Sequence, residues 1–221
     1  MSNAKAIGVP ADPHTILTKN ESVEENAMIV PYREAVGSLM FLAVVSRPDI
    51  AYSVNSVSKY VSNYNESHWQ AVKRIFRYLV GTVEVGILYT SGGSKFELVG
   101  FCDSDFASDV DTRRSTTGYA FCLAGGIVTW SCQRQKLVTL STTEAEYVAA
   151  AAAAKEAIWL RKLASDLGFL SESATVLAID NQTGAFHQWR RKDDWQTTAT
   201  TCKDPDWFHP RRKGDDRCRG I

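Results

Sequence analysis

Three acidic residues stand where a chain leaving or entering a regular element could bring them together. They are Asp103 in "GFCDSDF", Glu146 in "STTEAEY" and Asp180 in "VLAIDNQ". Asp103 and Asp180 end runs that read as strands, and Glu146 falls in the first turn of a long alanine-rich helical stretch. If the two strands are neighbours and the helix packs on their sheet, three carboxylates converge at one rim. Unit charges roughly 4 Å apart repel by about 4 kcal/mol at an effective dielectric of about 20, so such a cluster calls for a cation. Oxygen donors without thiolate or imidazole favour Mg2+ or Mn2+ over zinc. Two such ions about 4 Å apart clamp a phosphodiester for in-line attack by water. The same residues carry a plainer reading beside this one. Aspartate at a strand end is a common turn residue, and glutamate in a first helical turn complements the helix dipole. Glu144 belongs to that second class, because Ser141 or Thr142 before it makes a capped helix start. Asp105, Asp109 and Asp111 read as a solvated turn.

The elements that must hold these acids follow from the apolar spacing. "PYREAVGSLMFLAVVS" places Val36, Leu39, Met40 and Ala43 at helical intervals. Pro48 suits the first turn of a second helix, which carries Ile50, Val54, Val57 and Val61 on one face. A third, capped by Ser67, presents Trp69, Val72, Ile75, Phe76 and Leu79 and closes at Gly81. Lys73, Arg74 and Arg77 form a basic cluster on it. Beyond, "VEVGILYT" and "FELVGFCDSDF" read as strands around an "SGGS" turn, and "TGYAFCLAGGIVTWSC" as a hairpin turning at Gly125-Gly126. "KLVTLS" reads as a further strand, then the long helix, then the strand "ATVLAI".

Composition narrows the function classes. With 44% hydrophobic and 23% charged residues the 221-residue chain is ordinary globular material, long enough for a real core. The net charge is zero, so any nucleic-acid contact must come from local patches rather than bulk charge. The five cysteines show no CxxC spacing, which speaks against a zinc site and suits reduced thiols. The opening residues lack a signal-peptide pattern, and no apolar run approaches membrane-spanning length. The expectation is an intracellular protein, cytoplasmic or nuclear, with no membrane partner.

From Pro31 to Phe186 the residues carry a family resemblance. "FCDSDFASDVDTRRSTTGYAFCLAGGIVTWSCQRQKLVTLSTTEAEYVAAAAAAKEAIWLRKLASDLGF" followed by "IDNQTGAF" resembles the ribonuclease H domain of copia-type retrotransposon Pol polyproteins. "YREAVGSLMFLAVVSRPDIAYSVNSVSKYVSNYNESHWQAVKRIFRYLVGT" resembles the segment joining reverse transcriptase to that domain. The resemblance implies an α/β fold: a mixed five-stranded, ribonuclease H-like sheet flanked by helices and preceded by a helical connection. It implies Mg2+-dependent (or Mn2+-dependent) hydrolysis of the RNA strand of an RNA–DNA hybrid, in a protein normally fused to reverse transcriptase. Asp103, Glu146 and Asp180 match the family's acidic ligands, with Asp105 as an alternative to Asp103. Arg113, Arg114, Arg134 and Lys136 are candidates for phosphate contact, and a hybrid would be selected through 2′-hydroxyl and minor-groove contacts.

The expected organisation is a poorly ordered lead-in over 1–30, the helical connection over 31–82, the ribonuclease H-like domain over 83–186 and a divergent, disordered tail over 187–221. That tail lacks the family's usual continuation, with its histidine and fourth acidic ligand, so the chain reads as truncated at both ends. Two function classes therefore stand: an active retroelement ribonuclease H, or an inactive remnant that at most binds nucleic acid or protein.

Overall fold

The computed structural model describes residues 4–19, 30–89, 98–169 and 174–179 in full, and 186–189 and 195–198 in backbone only. Two compact units divide between Ile87 and Leu88, and each has its own core.

The first unit is helical. Helix α1 (Tyr32–Val45), a 3-10 turn (Pro48–Ile50) leading into α2 (Ala51–Ser58), and α3 (Glu66–Gly81) follow the apolar periods. Val36, Leu39 and Ala43 are buried as the spacing requires, whereas Met40 is half exposed. They meet Ile50, Val54, Val57, Val72 and Ile75 in one cluster. Two tyrosines seat this core: Tyr32 donates to the Val57 carbonyl (2.9 Å) and stacks on Tyr64 with ring centroids 4.4 Å apart. The cap of α3 is Asn65, not the expected Ser67. Its side chain accepts from the His68 amide while its own amide donates to His68 Nδ1, a reciprocal pair that a serine two residues later cannot make.

The corner between α1 and α2 is fastened to the end of α3 by one ionic knot. Arg47 pairs with Asp49 at 2.7 Å and also donates to the carbonyl and hydroxyl of Thr82. Tyr78 donates to Asp49 from the other side. Residues 4–19, expected as part of a poorly ordered lead-in, have defined neighbours: Tyr60 donates to the Leu17 carbonyl, and Ile7 and Leu17 pack on the helical core.

The second unit is a sheet with one long helix. Strands β1 (Val99–Asp105), β2 (Thr116–Leu123) and β3 (Gly126–Arg134) form an antiparallel meander, and β4 (Thr175–Ile179) joins β1 in parallel. Together they make a four-stranded mixed sheet in the order β3-β2-β1-β4. Two short strands, β5 (Phe186–Trp189) and β6 (Trp195–Thr198), extend it beyond β4, so six strands pair where five were expected. The rest of the tail from His187 lies outside the described residues.

The hairpin turns on Ala124 and Gly125, one residue before the predicted pair. Both have positive φ (52° and 75°), the combination a two-residue loop needs to match strand twist. Helix α4 (Thr142–Asp166) lies across β1, β2 and β4, burying Ala145, Ala149, Ala153 and Ala157 at four-residue intervals. Ala153 and Ala157 meet Cys102, Phe121 and Leu177 in the core. Thr129 and Glu156, and Arg161 and Thr175, pin the helix to β3 and β4.

Two predicted strands are absent. Residues 83–89 of "VEVGILYT" are turn and coil, with Val83 and Leu88 exposed. "KLVTLS" is likewise irregular: Leu137, Val138 and Leu140 are exposed, and only Thr139 turns inward, its hydroxyl 2.8 Å from that of Ser115. Apolar spacing supplied a strand pattern there, but no sheet edge takes it up. Among the described residues no helix is long and apolar enough to cross a membrane.

Candidate active site at the end of β1

Asp103 lies near the C-terminal end of β1, exposed, opposite Gly118 of β2. Strand alternation turns Cys102 toward α4, with its register partners Tyr119 and Ile179, and turns Asp103 to the other side of the pleat. The Asp103 carboxylate accepts from the Ser104 amide at 2.7 Å. A side chain at Gly118 would meet nothing within 4 Å, so the strand facing Asp103 leaves open space beside it.

Glu146 is brought to this end of the sheet by the start of α4. Ser141 caps the helix by accepting from the Glu144 amide (3.1 Å), and the Glu144 carboxylate reaches back to the Leu140 amide (2.7 Å). Glu144 is thus occupied in starting the helix, as its sequence context predicts. Ala145 is fully buried, and Glu146 beside it is half-buried.

Burial first, and then the negative charges of Asp103 and Glu146, push the Cys102 thiol up to about 12. Asp103 exerts this from the next residue of the strand, Glu146 from the helix. Two of the three predicted ligands are among the described residues, Asp103 on β1 and Glu146 on α4. The third, Asp180, lies outside the described residues; β4 is described to Ile179, which pairs with Cys102.

The donor chemistry suits a hard divalent cation. Two carboxylates are present, one of them exposed beside open space, and the Cys102 thiol, pushed up chiefly by burial, offers no thiolate at neutral pH. Among the described residues no group of three or more histidine, cysteine or acidic side chains stands close enough to hold a metal ion.

The connection from β1 to β2 is not the solvated acidic turn its sequence suggests. Asp109 is 2% exposed and pairs with the Arg134 guanidinium. It also accepts from the Thr112 hydroxyl at 2.7 Å, and its backbone bonds to those of Arg113 and Arg114. Arg134 is thereby committed to holding this loop. The loop in turn presents Arg113 exposed, at a positive φ of 55°, with Arg114 half-buried and Lys136 exposed nearby in sequence to Arg134. The Asp109–Thr112 spacing, an acid three residues before a hydroxyl, was the available signal for this closed loop. On α3, Lys73 pairs with Glu66, Arg74 with Asp12, and Arg77 donates to the Lys5 carbonyl, so these cations serve their own unit's surface.

No family model and no solved structure matches the chain. Curated relatives do. The retrovirus-related Pol polyprotein from transposon TNT 1-94 of Nicotiana tabacum is 46% identical over 188 residues, 83% of this chain and 14% of that protein. The retrovirus-related Pol polyprotein from transposon RE2 of Arabidopsis thaliana is 40% identical over 150 residues, 68% of this chain and 10% of that protein. Secreted RxLR effector protein 161 of Plasmopara viticola is 49% identical over 131 residues, 59% of this chain and 92% of that protein. The chain spans a small part of each polyprotein, and the matches span most of the chain. It belongs to the copia-type retrotransposon Pol family.

Proposed function

We propose that the sheet and α4 form a ribonuclease H-like domain that hydrolyses the RNA strand of RNA–DNA hybrids with divalent metal. The observation that carries this reading is the exposed Asp103 near the C-terminal end of β1, beside open space at Gly118, in a sheet packed against the helix whose first turns carry Glu146. Descent from a retroelement Pol protein supports it, as does a meander of three strands with a parallel fourth beside the first.

Asp103, Glu146 and Asp180 would hold Mg2+ or Mn2+. When bound, a divalent ion there would supply a water of lowered pKa and neutralise charge developing on the phosphate. The chain's own part is to present Asp103 at the strand end, open to a substrate approaching over Gly118. Arg113, Arg114 and Lys136 would take backbone phosphates, while Arg134 fixes the loop that carries the first two through its pair with Asp109. Selection of a hybrid over DNA would rest on 2′-hydroxyl contacts.

The test is cleavage of a labelled RNA strand in an RNA–DNA hybrid with Mg2+ or Mn2+. Wild type should cut, and Asp103→Asn should not. A folded wild-type chain that leaves the hybrid intact in both metals would sink the reading.

A further inference from the structure

Gln135 follows β3 and is 5% exposed, and nothing in the chemistry above uses it. Its backbone amide donates to the Ser115 carbonyl at 2.8 Å. Its side-chain Nε2 donates to Thr117 Oγ1 (3.0 Å) and to the Ala145 carbonyl (3.0 Å). A carbonyl only accepts, which fixes the orientation of the amide. Oε1 is buried and accepts no hydrogen bond among the described residues. Burying an acceptor unpaired is costly, so a buried amide with one spent end and one open end calls for a donor.

The two partners of Nε2 matter by position. The Ala145 carbonyl belongs to the peptide group whose nitrogen is that of Glu146, so this bond fixes the plane from which Glu146 departs. Thr117 is the register partner of Ser104, the residue after Asp103. A single amide thus joins the peptide before Glu146 to the strand pair that carries Asp103. Ser104 Oγ is also buried without a hydrogen-bond partner among the described residues, on the α4 side of the pleat. The seam between helix start and strand end therefore holds two buried oxygens awaiting a donor.

We infer that Gln135 is a positioning residue of the proposed metal site: its Nε2 sets Glu146 relative to Asp103, and its Oε1, with Ser104 Oγ, takes hydrogen bonds from a water in the seam. The inference rests on the reading given above, since it is a metal that Glu146 is being positioned for. Groups that orient metal ligands typically change metal affinity or activity by about 10- to 100-fold when removed.

The experiment measures Mn2+ binding by titration calorimetry, hybrid cleavage and thermal unfolding on the full chain. The variants are wild type, Gln135→Met, Thr117→Val and, as a control on the exposed side of α4, Lys155→Met. Gln135→Met should bind Mn2+ about 10-fold more weakly and cut more slowly at limiting metal, while Lys155→Met behaves as wild type. Thr117→Val removes one anchor of the same amide and should shift affinity in the same direction by a smaller factor. It carries the test if Gln135→Met does not fold. A folded Gln135→Met with wild-type Mn2+ affinity and cleavage overturns the inference while the functional reading stands. A wild type that neither binds Mn2+ nor cuts overturns both.

Discussion

Glu144 and Glu146 are separated by one residue and stand in different surroundings, the first exposed and the second half-buried. Glu144 closes a helix start with Ser141 and Leu140, whereas Glu146 bears on the Cys102 thiol at the strand end. Stability and activity should therefore separate between them. Glu144→Ala should cost about 1 kcal/mol, the usual worth of a cap, and leave hybrid cleavage at the wild-type level in metal excess. Glu146→Gln should keep the denaturant midpoint and lose cleavage. Urea unfolding of both variants beside the cleavage assay decides the point. The part of Glu144 was legible from sequence, because a serine three residues before an acid is a capping pattern. Gln135 was not legible: an amide within "QRQK" breaks no period, and only the fold reveals that it reaches Thr117 and Ala145.

At the scale of elements, α4 meets the sheet through Ala145, Ala149, Ala153 and Ala157, all buried and all ending at Cβ. Close approach of the helix axis depends on that seam. Ala153→Leu places added methyl groups against Cys102, Phe121 and Leu177, and should destabilise the sheet unit by roughly 1–3 kcal/mol, with metal affinity falling as Glu146 is lifted. Thermal unfolding together with Mn2+ titration would register both effects, and an unchanged melting temperature would show the seam to be slack. Helix and hairpin positions could be read because their periods agree with their partners. The strand expected at "KLVTLS" failed because alternation reports an amphipathic segment and not whether a neighbouring strand accepts its backbone. The hairpin turn was misplaced by one residue because Gly125-Gly126 offers the usual residues for positive φ, yet the register assigns one of the two positions to Ala124. Asp109 escaped notice since its charge is satisfied by Arg134, 25 positions away (134 − 109), a pairing only the fold brings about.

At the scale of the whole molecule, the two units keep separate cores and answer to different conditions. In the helical unit, burial alone would raise the Asp49 carboxyl, but hydrogen bonds from Arg47 and Tyr78 and the Arg47 charge outweigh it and hold the group below its ordinary value. A carboxyl depressed in the folded state contributes stability that is fully present above its unfolded value of about 3.9 and is lost as pH falls from there through the folded value. Urea midpoints followed through helical ellipticity should therefore fall steeply below pH ~4, and Asp49→Asn should flatten that dependence at the expense of stability near neutrality. A slope unaltered by Asp49→Asn would assign the acid sensitivity elsewhere. The alanine seam has a consequence of another kind, in how the chain withstands genetic drift. Every single-base change of an alanine codon that alters the residue, other than to glycine, adds atoms, and the glycine change loosens the helix instead. Copies of an element released from selection would lose this seam by many routes. Among sibling copies, a larger residue at position 145, 149, 153 or 157 would mark a sheet unit that no longer closes, even where every acidic ligand is kept.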